Sequence, residues 1–230
     1  MMIKAILMDV EGTTTNIRFV HQVLFPYARH HLDKYVRIHH NEKAVQIIVD
    51  QVREEIDQLH ADLDIVIGAL LHWIEQDRKI TCLKDLQGLM WSEGYEKGEF
   101  TGHVYEDVYR CMQTWKKQGI DMHIYSSGSV KAQKLLFRYS DYGDLTPLLS
   151  GYHDTTTGPK REVRSYRDIA SAIGFPGKEI LFLSDTTEEL DAAKQAGMVT
   201  TRLVRGPCTA VDVSDNYPSV TSFHEIEFYS

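Results

Sequence analysis

Ile3-Lys4-Ala5-Ile6-Leu7-Met8-Asp9-Val10-Glu11-Gly12-Thr13-Thr14-Thr15 is the stretch on which the fold turns. Its first half, Ile3 and then Ala5 to Met8, has the length and composition of a buried strand. A nearly continuous apolar run suits a strand covered on both faces, at the centre of a parallel sheet. The run ends abruptly on Asp9, Glu11 and Gly12. Two carboxylates two residues apart at the carboxyl end of such a strand stand where open α/β sheets bind ligands. Taken alone, a D-x-E of this kind reads more simply as a solvated strand-to-loop turn. The rest of the chain shifts that balance.

The chain has 230 residues, 43% hydrophobic and 25% charged, enough for one sizeable core or a core with an accessory unit. A formal charge of −8 argues against nonspecific nucleic-acid or anionic-membrane binding, which need a basic footprint. An anionic small molecule remains compatible, provided its counter-charges are local. Cys82, Cys111 and Cys208 are scattered and show no C-x-x-C spacing, as expected of reduced thiols rather than a disulfide frame or a zinc site. The first apolar run is too short for a signal peptide and ends in acid, and no segment approaches a bilayer-spanning length. A cytoplasmic monomer is expected.

After Thr15 the periodicity changes from strand to helix. Phe19 to Leu24 resembles a helical start, and Pro26 suits the first turn of a helix running towards His39. Val45, Ile48, Val49, Val52, Ile56 and Leu59 form one helical stripe. Leu63, Val66, Ile67, Leu70, Leu71 and Ile74 form a second, with Asp62 and Asp64 near its positive end. Cys82 to Tyr95 is a further helical piece. The spacing predicts a helical unit over 19–98 inserted into an α/β unit made of 1–18 and 99–230. In that second unit strand and helix alternate. Helices are expected over 105–118, 130–139, 163–173 and up to Gly197, and strands over 122–125, 148–152, 180–183 and 199–204, with an edge strand over 220–226. Repeated strand–helix units predict a doubly wound parallel sheet covered by helices.

Each apolar strand leads into a distinctive polar cluster: Asp9 and Glu11, then Ser126 and Ser127, then Lys160, then Ser184 and Asp185. Parallel strands would bring these clusters to one edge of the sheet. Separately, each has a plainer reading as an N-cap, a turn or a solvated lysine. Together they suit phosphoryl transfer. Asp9 can act as a carboxylate nucleophile, and Glu11 can protonate the leaving oxygen and then deprotonate water. Ser126 or Ser127, with the N–H groups opening the next helix, offers an anion site. Lys160 can neutralise the nucleophile and the phosphoryl group together, and Asp9 with Asp185 supplies oxygen ligands of the kind magnesium takes. Phosphate monoesters call for accelerations approaching ~10²¹, whereas one general acid supplies about 10² to 10⁴. Positioning and charge neutralisation must therefore carry most of the reaction.

These four ordered motifs resemble those of the haloacid dehalogenase superfamily of phosphatases, and the helical insertion resembles that superfamily's cap domain. Most such phosphatases have Asp where Glu11 stands. The dehalogenases have an aromatic residue there and use no metal, so Glu11 favours the phosphatase branch. D-V-E-G-T-T-T from Asp9, L-Q-G-L-M-W at Leu86 to Trp91, E-G-Y-E-K-G at Glu93 to Gly98, Y-S-S-G-S-V-K-A-Q-K-L-L-F at Tyr125 to Phe137 and T-T-T-G-P-K at Thr155 to Lys160 are together similar to the bifunctional enolase-phosphatase family of methionine salvage. The resemblance implies enolisation and dephosphorylation of 2,3-diketo-5-methylthiopentyl 1-phosphate to an acireductone. It also implies one magnesium ion on Asp9, Asp185 and the backbone carbonyl of Glu11, with substrate contacts from Ser126, Ser127 and Lys160. The rival expectations are a capped phosphatase for a sugar phosphate or phosphoglycolate, and a noncatalytic binding protein on the same scaffold.

The segment holding Glu93, Tyr95 and Lys97 is expected either to select substrate or to act as a hinge. Glu189 reads equally as a helix cap or as an outer partner of the metal site. The eleven histidines show no H-E-x-x-H spacing, and Trp73, Trp91 and Trp115 are expected in the core. Arg161 is expected on the surface.

Overall fold

A computed structural model describes residues 2–76, 78–206 and 217–227. Among these, six strands form one parallel sheet in the order β3-β2-β1-β4-β5-β6. They are β1 (Ala5–Met8), β2 (Asp121–Tyr125), β3 (Gly151–His153), β4 (Ile180–Ser184), β5 (Val199–Leu203) and β6 (Ser219–Val220). The helices are α1 (Ile17–Phe19), α2 (Phe25–His39), α3 (Lys43–Glu55), α4 (Leu63–Glu75), α5 (Thr81–Glu96), α6 (Glu106–Lys117), α7 (Val130–Arg138), α8 (Val163–Ile173) and α9 (Thr187–Gln195). The chain divides into two compact units, Met1–Ile17 with Thr101–Ser230, and Arg18–Phe100.

In the α/β unit, β1 is wholly buried, because it pairs with β2 on one side and β4 on the other. The chain works outward from β1 through β2 to β3, then jumps back across to β4 and outward again. The strand order therefore reverses between β1 and β4, and ligands of open α/β sheets bind in the crevice beyond the carboxyl ends of such strands. On one face Ala5, Leu7, Tyr125 and Phe182 pack against Tyr166 and Ile169 of α8 and Leu190 and Ala193 of α9. The Tyr166 ring stands edge-on to Tyr125 and to Phe182, with centroids 5.5 and 5.0 Å away. Gly174 ends α8 at φ +88°, a left-handed cap that a side chain would strain.

The helical unit buries one stripe from each long helix: Ala28, Leu32 and Val36 of α2, Val45, Ile48, Val49 and Val52 of α3, Val66, Ile67, Leu70 and Trp73 of α4, and Leu83, Leu86, Met90 and Trp91 of α5. Pro26 is accommodated by a π-helical stretch, Val20–Leu24, in which Phe25 N–H reaches back to Val20 O. Proline lacks an N–H and crowds the carbonyl four residues before it, and the wider turn relieves both problems. Trp115, like Trp73 and Trp91, is a core residue. No described helix is long and apolar enough to cross a membrane.

Three local expectations change. Leu59 is exposed and outside the helical stripe, because α3 stops at Glu55 and Asp57 turns the chain at φ +55°. The strand expected from Leu148 begins only at Gly151, since Thr146–Leu148 is a 3₁₀ turn built on Pro147, with Asp144 accepting from Thr146 N–H. The edge strand expected over 220–226 is cut to Ser219–Val220. There Ser222 caps a 3₁₀ turn, Phe223–Glu225, and Asp107 accepts from Ser222 Oγ and Phe223 N–H. Cys82 and Cys111 are free and buried. Cys208 and most of the tail turns expected after Gly206 lie outside the described residues.

His123 and His153 stack on neighbouring strands, with centroids 5.6 Å apart. Burial, and then the charge His153 would carry, push the His123 pKa down to about 4. The unfolded chain therefore binds this proton more readily than the folded one, and stability falls as pH drops from about 6.5 towards 4. The full shift corresponds to at most about 3 kcal/mol, reduced wherever solvent screens the ring. His123→Gln should flatten that limb of the pH–stability curve, measured by urea unfolding between pH 7 and pH 4. An unchanged slope would show that the pair is not what titrates.

Candidate active site

The turn after β1 is wound around one carbonyl. Val10 O accepts from the backbone N–H groups of Thr13, Thr14 and Thr15, and Gly12 N–H donates to Thr15 O. This gathers three buried threonines into the turn and leaves the hydroxyls of Thr13 and Thr14 to Asp9, while Thr15 Oγ1 donates to His103 O. Thr14 Oγ1 donates to Asp9 O at 3.1 Å, and Thr13 Oγ1 lies 3.4 Å from Asp9 Oδ2. Thr13 Oγ1 also accepts from Asp185 N–H at 3.1 Å. One hydroxyl thus ties the strand ends of β1 and β4 together. Gly12 sits at φ +75°, and a Cβ there would run into the Asp185 carboxylate. Gly12→Ala should cost about 1–2 kcal/mol from the left-handed backbone alone. It should also disturb the site by displacing Asp185; thermal melts read the first effect and the rate of the reaction at this site the second, and an unchanged rate would show that this contact does not set the site.

Lys160 comes from the loop between β3 and α8, far along the chain, and meets Asp9 here. Its Nζ pairs with Asp9 Oδ1 and lies 2.7 Å from Glu189 Oε2, and all three side chains are buried. Burial alone would lower the Lys160 pKa, but the charges of Asp9 and Glu189 outweigh it and keep the ammonium protonated. Burial, then Asp9, raise the Glu189 carboxyl, opposed by Lys160 and by the Ser184 hydroxyl 3.1 Å away. One ammonium thus faces two carboxylates. Burial, then Asp9, likewise raise Asp185, which accepts from Thr186 Oγ1 at 3.1 Å. The strand ends therefore concentrate negative charge beyond what Lys160 offsets.

That surplus bears on metal binding. Among the described residues no group of three or more His, Cys, Asp or Glu side chains is arranged to hold a metal ion. A pair of oxygen donors at Asp9 and Asp185, completed by a backbone carbonyl and water, nevertheless fits a hard divalent cation that keeps several waters. Such an ion would relieve the charge that raises Asp185. The half-buried Glu11 lies in the same turn, bridged through its backbone to Thr15.

The serine cluster differs from its expected form. Ser126 is buried and its Oγ accepts from Gly128 N–H, whereas Ser127 is exposed. The N–H groups opening α7 are not all free for an anion. Val130 N–H donates to Asp154 Oδ2 and Ala132 N–H to the capping Ser129. Tyr125 aligns with His153 in the parallel ladder and Met8 with Ile124, so Ser126 follows the same edge of the sheet as Asp9. Arg161 is exposed, and His103 accepts Asn16 N–H through Nδ1. In the helical unit Tyr95 is buried against Phe100, and Glu93 pairs with Lys97.

Sequence reading did not foresee that Glu189 faces Lys160, or that Thr13 joins two strand ends. For Glu189 a signal exists: it stands four residues after Asp185, in the first turn of α9, which points it back at the strand end.

The haloacid dehalogenase-like hydrolase family model matches residues 3–197. Enolase-phosphatase E1 of Klebsiella oxytoca is 52% identical over 225 residues, spanning 98% of this chain and 97% of its own length. The enzyme of the same name from Pseudomonas aeruginosa is 52% identical over 226 residues, spanning 98% and 99%. Among solved structures, the UTR4 protein of Saccharomyces cerevisiae superposes with a TM-score of 0.84 at 35% identity, covering 97% of this chain and 100% of that one. CbbY of Rhodobacter sphaeroides, in complex with phosphate, shares the fold at 16% identity with a TM-score of 0.60, covering 97% and 96%.

Proposed function

This chain belongs to the haloacid dehalogenase-like hydrolases and, within them, to the enolase-phosphatases, and on that premise we propose how its own residues perform the reaction. The substrate is 2,3-diketo-5-methylthiopentyl 1-phosphate, and the product is the acireductone of methionine salvage. The enzyme works as a cytoplasmic monomer, with the helical unit as its cap. The observation that supports phosphoryl transfer most directly is the burial of the Asp9 and Glu189 carboxylates around the Lys160 ammonium at the carboxyl edge of the sheet.

The substrate first loses a C1 proton and gains one on its C2 oxygen, giving the enol phosphate; Asp9 then attacks phosphorus, the ester P–O bond breaks, and an aspartyl phosphate forms. Glu11 gives its proton to the departing enol oxygen and later takes one from the water that attacks phosphorus, restoring Asp9 and releasing phosphate. Lys160 neutralises the nucleophile before attack and the phosphoryl oxygens during it. Ser126 and Ser127 bind those oxygens. Magnesium fits Asp9, Asp185 and the Glu11 carbonyl, and when bound it supplies positive charge to the phosphoryl group and to an enolate oxygen.

Specificity constants for the diketo phosphate, phosphoglycolate and small sugar phosphates test the assignment. The diketo phosphate should be preferred; turnover of the others alone would indicate a different capped phosphatase. Asp185→Asn should raise the magnesium concentration for half-activity at least about 10-fold. It should not lower the melting temperature of the metal-free protein, because a repelled carboxylate has been removed. An unchanged magnesium titration would place the ligand elsewhere.

A further inference from the structure

Lys160 has a flexible four-carbon stem, yet its ammonium must stand between two buried carboxylates. The backbone beneath it is held in an unusual way. Three consecutive carbonyls of the Lys160 loop each receive a hydroxyl from the core. Tyr125 Oη donates to Gly158 O at 2.8 Å, Ser165 Oγ to Pro159 O at 2.8 Å and Tyr166 Oη to Lys160 O at 2.7 Å. Both tyrosines are fully buried and Ser165 is nearly so. Gly158 completes the arrangement, since a Cβ there would collide with Ser165 Oγ. The Tyr125 ring also lies 5.7 Å from Lys160 Nζ, so one side chain touches the loop at both its backbone and its charge.

Surface loops ordinarily leave such carbonyls to water. Here they are paired with hydroxyls fixed by the same aromatic packing that holds β2 and α8 together. Phenylalanine would fill the same core space, so the phenolic oxygens serve the loop rather than the packing. We propose that Tyr125, Ser165 and Tyr166 are positioning residues of the phosphatase reaction, which act by fixing the Lys160 backbone so that its ammonium reaches Asp9 and Glu189. The inference rests on the role given above to Lys160. A displacement of about 1 Å at a reacting group can cost about 10²-fold in rate, which sets the scale for losing one clamp.

The test compares Tyr125→Phe, Ser165→Ala and Tyr166→Phe in the wild-type and Lys160→Ala backgrounds. Three quantities are read: kcat and KM on the diketo phosphate, inorganic phosphate affinity by calorimetry, and melting temperature. In the wild-type background, loss of one hydroxyl should lower kcat roughly 10- to 100-fold, with a smaller change in KM, and weaken phosphate binding. In Lys160→Ala the same substitutions should leave phosphate affinity unchanged while still lowering the melting temperature. Equal effects on phosphate affinity in both backgrounds would overturn the proposal, as would variants that lose stability but keep kcat and phosphate affinity. Should Tyr166→Phe fail to fold, Tyr125→Phe and Ser165→Ala decide the question alone. A wild-type protein that releases no phosphate from the substrate would instead refute the assigned reaction, with the calorimetric comparison still reporting on the clamp.

Discussion

Asp9→Asn is expected to reduce phosphate release by about 10⁶-fold, the scale reached when a covalent nucleophile is removed from a working catalytic group. The amide is nearly isosteric, so the turn beneath it should persist: Thr14 Oγ1 bonds the Asp9 backbone carbonyl, and Val10 O holds the three threonine N–H groups. The substitution removes one of two negative partners of Lys160 but leaves Glu189 in place. The melting temperature should therefore change little while turnover disappears. Residual turnover above about 1% of wild type would contradict attack by this carboxylate.

Lys160→Met should have the largest effect on stability. It leaves Asp9 and Glu189 as buried carboxylates without their shared cation, and breaking a buried ion pair from one side costs about 3–5 kcal/mol. The loss should depend on pH in a direction that identifies its cause. Burial and mutual repulsion raise the Glu189 carboxyl in the folded protein, and without the ammonium they would raise it further. A carboxyl whose folded pKa exceeds its unfolded value binds a proton more readily when folded, so stability recovers as pH falls. Guanidinium unfolding should show the deficit at pH 8 and a smaller one at pH 5. A deficit independent of pH would indicate lost packing of the lysine stem instead of stranded charge.

The physics of one dimension explains which features could be read from sequence. The apolar run ending at Asp9 declared a central strand, because a strand paired on both sides and covered on both faces must be apolar at consecutive positions. The stripes through Val45 to Val52 and Val66 to Leu70 declared helices by spacing. Polar clusters at successive strand ends then had to share one edge once the strands were parallel, which brought Lys160 and Asp185 towards Asp9. Contacts between side chains from different elements left no such period. The hydroxyl of Thr13 reaches Asp185 N–H 172 residues away, and no local pattern encodes that distance. The tyrosines under the Lys160 loop look in sequence like any buried aromatics, since only coordinates reveal what a phenolic oxygen touches. The failed edge strand over 220–226 has the same origin. Its β-prone residues are diverted by Asp107, which captures Ser222 and Phe223 from another element.

The central claim is that Asp9, held by Lys160, carries the phosphoryl group. Quenching the enzyme during turnover, reducing it with borohydride and sequencing its peptides by mass spectrometry tests this directly. An aspartyl phosphate at residue 9 would be reduced to homoserine at that position, with Asp185 and Glu189 unmodified. Homoserine at any other position, or full turnover without modification of Asp9, would contradict the account.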